Sequence, residues 1–131
     1  MDELPIRSGD DVVRVRQQVR TAAAANGLSL VDQTKLVTAA SELARNTLVH
    51  GGGGTVRVEM VKSANGRSGV RLLFTDEGPG IADIELALTD GWTTGNGLGL
   101  GLSGTRRLVD EFELHSNPGA GTSVAVVKWS R

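Results

Sequence analysis

Glycine is gathered in this chain rather than scattered. Most of its 18 glycines fall at positions 51–54, 78–80, 91–104 and 119–121. Glycine alone takes left-handed backbone or lets another segment approach closely without a side-chain clash. Those four stretches are therefore turns or ligand-facing loops, and the segments between them must supply the helices and strands. At 131 residues the chain is expected to form one domain over residues 1–131, with a core of its own. Aromatic residues make up only 3%, so Leu, Val, Ile and Ala must build that core.

The periodicities between the glycine clusters change from helix to strand and back. "LPIRS" (4–8) suits a short edge strand, and Ser8 or Asp10 can cap a helix that stops near Asn26-Gly27. In that helix Val12, Val15, Val19 and Ala22 or Ala23 recur at helical spacing. A second helix is expected over about Val31 to Val49. "TVRVEMVKS" (55–63) alternates at period two, with Val56, Val58 and Met60 on one side and Arg57 and Glu59 on the other. "NGRSG" (65–69) is a hairpin turn, and "VRLLFTD" (70–76) is its second strand. Residues from about Leu102 to Asp110 look helical. "EFELHS" (111–116), the turn "NPGAG" and "TSVAVVKWS" (122–130) form a closing hairpin. The order β-α-α-β-β-α-β-β implies an α/β (α+β) two-layer sandwich, a mixed and mostly antiparallel sheet with helices on one face.

Several functions are set aside by composition. With 14 Lys+Arg against 15 Asp+Glu and no polybasic run, neither nucleic acid nor an anionic membrane is an expected partner. The absence of cysteine removes thiolate chemistry and zinc-thiolate sites. "MDELPIRSGDD" has no basic, apolar signal region, and no apolar run approaches the roughly 18 residues of a membrane span. A cytoplasmic protein is expected.

The second helix carries a polar edge. At about 100° per residue, with Glu42 as zero, Leu36, Val37, Ala40, Leu43, Ala44, Thr47 and Leu48 form the core stripe. Glu42, Asn46 and His50 then fall at about 0°, 40° and 80°, beside that stripe, with Arg45 on the other flank. A carboxylate at such a rim can take a proton or orient a hydroxyl. A carboxamide oxygen is a suitable hard ligand for Mg²⁺, which takes few protein ligands and keeps waters. Taken alone, the same pair is also what a solvated helix face carries. His50, at the helix end, suits a C-terminal cap.

Two loops give the pair company. In "LLFTDEGPG" a strand ends in Asp76, and Gly78 and Gly80 bracket Pro79. The glycines permit a sharp bend and close approach to a flat ligand, and the carboxylate can accept from an exocyclic amine, although a plain turn has the same composition. "GWTTGNGLGLGLSG" (91–104) reads three ways. As a strand it would have no side chains on one face. Its last six residues match G-x-G-x-x-G, but no strand precedes them in a βαβ unit. The third reading is a glycine loop that runs into a helix and cradles phosphate. Walker A and protein-kinase signatures are absent.

"ELARN" (42–46), "DEGPG" (76–80), "GNGLGLGL" (95–102) and "GT" (121–122), in this order and spacing, resemble the N, G1, G2 and final Gly-Thr boxes of the GHKL ATPase superfamily. That superfamily includes gyrase, the Hsp90 chaperone, histidine kinases and MutL, and has the Bergerat ATP-binding fold. The match runs over about residues 8–131. The short segment between the second and third boxes is similar to the bacterial serine/threonine kinases of partner-switching systems. "SELARN", "DGWTTGNGLGLGLSGTRRLVDEFELHS" and the "GAGT…KW" ending resemble the stressosome switch kinases, beside the anti-sigma-factor kinases.

By that resemblance the cofactors are ATP and Mg²⁺. Glu42 would be the general base toward a serine or threonine of a protein substrate, and Asn46 would hold the Mg²⁺ that bridges the phosphates. Asp76 would accept from the adenine amine, with Gly78 and Gly80 lining the base pocket and Thr122 assisting. Gly97, Gly99, Leu100, Gly101 and Leu102 would wrap the phosphates, and residues 81–96 would form an ATP lid. The implied substrates are STAS-domain antagonist proteins, with a PP2C-type phosphatase or a sigma factor as further partners. The alternative is an ATP-binding anti-sigma factor or phosphatase-activating module that works by sequestration.

Overall fold

The computed structural model of the chain describes residues 2–78, 101–116 and 119–131. Among them the elements run β1 (Asp2–Ile6), α1 (Gly9–Ala25), α2 (Leu30–Val49), β2 (Gly54–Lys62), β3 (Ser68–Asp76), α3 (Gly101–Arg107), β4 (Glu111–Ser116) and β5 (Thr122–Trp129).

Both long helices start and stop where local chemistry says they should. Ser8 sits in extended backbone and its Oγ accepts from the Asp11 N–H, while Asp10 and Asp11 complement the positive helix end. The same arrangement opens α2, where Ser29 accepts from the Asp32 N–H at 3.1 Å. At the end of α1, Gly27 takes φ +80. The Gly27 N–H then reaches the Ala24 carbonyl and the Leu28 N–H reaches that of Ala23. This is a Schellman closure, which satisfies carbonyls the helix leaves open.

The five strands lie in the order β1-β2-β3-β5-β4, and all four pairings are antiparallel. The sheet, expected to be mostly antiparallel, is antiparallel throughout these pairs. Val56, Val58, Val70, Leu72, Phe74, Val124 and Val126 point from one face into a cluster with Val12, Val15, Val19, Leu36, Ala40, Leu43 and Ala44 of the helices. The result is the two-layer α/β arrangement. α3 packs against α2. Among the described residues no helix is long and apolar enough to cross a membrane.

Three details depart from expectation. β1 begins at Asp2 rather than Leu4 and ends at Ile6. α3 stops at Arg107, short of Asp110, because the Asp110 N–H is drawn to the Val127 carbonyl of β5 at 2.9 Å. Met60, expected inward with Val56 and Val58, is 72% exposed. Met60 lines an open cavity beside Gln18, Thr21 and Ala22 of α1, so the helix layer does not close over it.

One consequence of the register positions the site. Ile6, Gly54, Asp76, Thr122 and Ser116 stand opposite one another in a single row across all five strands. That row is the end of the sheet to which α2 delivers its C-terminus.

Candidate functional site

The site is built from the C-terminal half of α2 and the sheet end it meets. Glu42 and Asn46 are half-buried at the rim of the helix's core face, as the angular positions predict, between the buried Leu43, Ala44 and Thr47 and the exposed Arg45. The Glu42 Oε1 accepts from Arg45 Nη1 at 3.4 Å. The Asn46 carboxamide makes no hydrogen bond among the described residues, and no buried polar side-chain atom is left unpaired. Its carboxamide is therefore open to solvent and to a ligand. The Asn46 backbone carbonyl accepts twice, from the His50 N–H at 2.9 Å and the Gly51 N–H at 3.2 Å. His50 is thus the helix cap in position, through its backbone.

From there Gly51–Gly54 carry the chain to β2 across the face of Asp76. Gly52 and Gly53 take φ +72 and +107, which side-chain-bearing residues rarely adopt. The Gly53 N–H donates to the Thr47 carbonyl at 3.0 Å and holds the loop to the helix. Gly51 and Gly54 are needed for room. A Cβ on Gly51 would stand 2.4 Å from the Asp76 Cγ, and one on Gly54 would stand 2.0 Å from the Thr75 carbonyl oxygen.

Asp76 is held by this packing and by its own turn. Its Oδ1 accepts from the Gly78 N–H at 2.9 Å, and Gly78 lies against Gly51. On the other side Gly121, at φ +88, leaves space for the Asp76 carbonyl. Thr122 stands opposite Asp76 in the ladder, and its hydroxyl lies 2.9 Å from that of Ser116. The second carboxylate oxygen of Asp76 has no partner among the described residues and is not buried, so it can accept from a ligand. An open cavity of about 730 Å³ follows the glycine loop, lined by Arg7, Gly51–Gly54, Thr55, Thr75, Asp76 and Glu77. Glu42 and Asn46 do not line it.

The structure thus brings Glu42, Asn46, Asp76, Gly78 and Thr122 to one end of the fold. Gly80, Gly97, Gly99, Leu100 and the expected lid at 81–96 lie outside the described residues. Gly101 opens α3. Leu102 is buried in the core cluster, so its side chain packs the helix and only its backbone remains for a phosphate. Two contributions were not legible as such. Composition makes the 51–54 cluster a loop with special backbone demands, but its contact with Asp76 is set by the fold. Arg45, set on the far flank, reaches Glu42.

Residues 31–130 match the model of the histidine kinase-, DNA gyrase B- and HSP90-like ATPase family. The chain belongs to this family. Among curated relatives, the serine/threonine-protein kinase RsbT of Bacillus subtilis (strain 168) is 44% identical over 121 residues, 92% of this chain and 90% of the relative. An anti-sigma F factor of Thermoanaerobacter sp. (strain X514) is 33% identical over 95 residues, 70% of this chain and 66% of that protein. Among solved structures, the RsbU and RsbW domains of a Mycobacterium tuberculosis protein superpose with a TM-score of 0.65 at 23% identity. That match covers 100% of this chain, which spans only 33% of the solved one. The mycobacterial sensor histidine kinase MprB superposes at 0.59 and 20% identity over 99% of both chains. At such identity these two establish the fold, the ATPase fold that the motif boxes imply. ATP binding is the family's shared property.

Proposed function

We propose that residues 1–131 act as one ATP-dependent serine/threonine-protein kinase domain of a bacterial partner-switching pathway, with a STAS-domain antagonist protein as its substrate. The 44% identity to a serine/threonine-protein kinase along 92% of the chain carries this reading. In it, Asp76 accepts from the adenine amine, supported by its free oxygen and by the glycines packed around it. Thr122 flanks the base from the neighbouring strand. Glu42 is the general base.

Phosphoryl transfer asks the protein for positioning and charge neutralisation more than for covalent chemistry. The acceptor hydroxyl oxygen forms its bond to the γ-phosphorus as the bond from that phosphorus to the bridging oxygen breaks. ADP leaves with that oxygen, and the hydroxyl proton passes to the Glu42 carboxylate. The residues present fit a Mg²⁺ ion held mainly by nucleotide. No group of three or more His, Asp or Glu among the described residues forms a metal cage, and Asn46 offers one unpaired carboxamide. That is the donor set of an ion which keeps waters and binds phosphates. Asn46 would hold it, and the ion supplies neutralisation of the phosphate charge.

The 33% identity to anti-sigma F factors supports a second reading, in which the same pocket senses ATP while the surface sequesters a sigma factor or engages a PP2C-type phosphatase. One experiment separates them. The protein is incubated with γ-labelled ATP and a purified STAS-domain antagonist, and the label is mapped. Stoichiometric label on one serine or threonine is expected. Binding of a sigma factor with no transfer to the STAS protein would replace the kinase reading by the second.

A further inference from the structure

Glu42 is tethered through one of its two carboxylate oxygens. It opens the polar edge of α2 that continues through Asn46, and its side chain is 12% exposed. One oxygen, Oε1, accepts from Arg45 Nη1 at 3.4 Å, from three residues further along the helix. The other oxygen has no partner among the described residues and is not buried, so it stands open. Helical spacing places Arg45 at about −60° and Asn46 at about +40° from Glu42. The guanidinium therefore approaches from the flank away from Asn46, and the second oxygen is left unengaged.

From this we infer that Arg45 is a positioning residue for Glu42. It engages one carboxylate oxygen and so presents the other to the acceptor hydroxyl. The inference rests on the assignment of Glu42 as general base. The bond is long, and the arginine is 52% exposed. Such a pair is a weak contributor to stability, and it restrains the carboxylate without sealing it off. A base needs that combination. Its rotamers are narrowed toward one geometry, yet the carboxylate can still shift as the hydroxyl arrives. The order, glutamate before arginine on the helix, is also the favourable one for such pairs. An ordinary surface ion pair would support the helix alone, and the test below separates the two.

The experiment is a double-mutant cycle on phosphoryl transfer to the STAS-domain acceptor, with wild type, R45A, R45K, E42Q and E42Q/R45A, alongside melting temperature and ATP affinity for each. Misplacing a catalytic group by a fraction of its reach lowers the chemical step strongly. R45A is expected to lower kcat about tenfold, with acceptor KM and ATP affinity unchanged to within about twofold. R45K should recover most of the loss, since its ammonium can bind the same oxygen. E42Q/R45A should be no slower than E42Q, because a positioning residue has nothing left to position.

Four results would overturn the proposal. They are an undiminished rate in R45A, a loss that appears only in KM or ATP affinity, R45K as slow as R45A, and the same fold loss in the E42Q background. Failure of the underlying reading shows separately. E42Q at the wild-type rate removes the base assignment, and a wild type that never labels the acceptor removes the kinase reading. Either leaves Arg45 without a base to orient and ends the proposal too.

Discussion

Gly51→Ala tests how the sheet end holds its carboxylate. Gly51 is not among the positive-φ glycines, so alanine is acceptable to the backbone and the effect is purely steric. The added methyl would meet the Asp76 Cγ at 2.4 Å, its Cβ at 2.5 Å and its Oδ2 at 2.7 Å. Aspartate is too short to bend its far end away. The side chain must rotate as a whole, which breaks the bond from the Gly78 N–H, or the glycine loop must lift from Asp76. Overpacking of this kind costs about 1–3 kcal/mol. For a chain of this length that lowers the melting temperature by about 4–12 °C. In its proposed role Asp76 also loses its alignment toward the adenine. A misplaced hydrogen bond to a charged group is worth about 1.5–3 kcal/mol, which weakens ATP binding about 10- to 100-fold. Thermal melts and titration calorimetry with ATP measure both quantities. Gly9→Ala is the control, because it meets nothing within 4 Å. Gly54→Ala should be worse than Gly51→Ala, since the atom it meets at 2.0 Å is the Thr75 backbone oxygen, which cannot rotate aside. Wild-type melting temperature and ATP affinity in Gly51→Ala would refute the packing argument. A lowered melting temperature with intact affinity would instead remove Asp76 from the adenine pocket.

Asn46→Ala should leave the melting temperature nearly unchanged, as the side chain is half-buried and unpaired, while ATP binding loses most of its dependence on Mg²⁺. Calorimetry with and without the ion checks this, and an unaltered dependence contradicts the assignment. Lys128 is 5% exposed, with its ammonium 3.6 Å from Asp32 and 3.7 Å from Asp110. Lys128→Met removes the buried cation and leaves two carboxylates sharing Arg131. A loss of about 2–4 kcal/mol is expected in urea unfolding, with ATP affinity retained, because breaking a buried pair strands its partners. A variant as stable as wild type would show that Arg131 alone neutralises both.

What the sequence displays and what it conceals divide along one physical line. Features set by neighbours within a few residues were legible. The Ser8 cap, the Asn26-Gly27 stop and the hairpin turn in 65–69 each follow from local backbone chemistry. So does the rim position of Glu42 and Asn46, which needs only the pitch of a helix. Features set by strand order were not legible. Met60 obeys the alternation of its strand and is still exposed, because exposure there depends on how far α1 covers the sheet. Lys128 reads as the polar end of a strand, yet it is buried, because Asp32 and Asp110 come from two other parts of the chain to meet it. The site divides in the same way. Asp76 at a strand end and Thr122 at a strand start are each visible locally, but their apposition arises because β5 inserts between β3 and β4. Had β4 paired with β3 instead, Thr122 would no longer stand beside Asp76 and Gly121 would not clear its carbonyl. The two closing strands therefore do more than complete the sheet. By exchanging places they bring the final Gly-Thr pair to the carboxylate, and so set side by side two motifs that stand far apart in the chain.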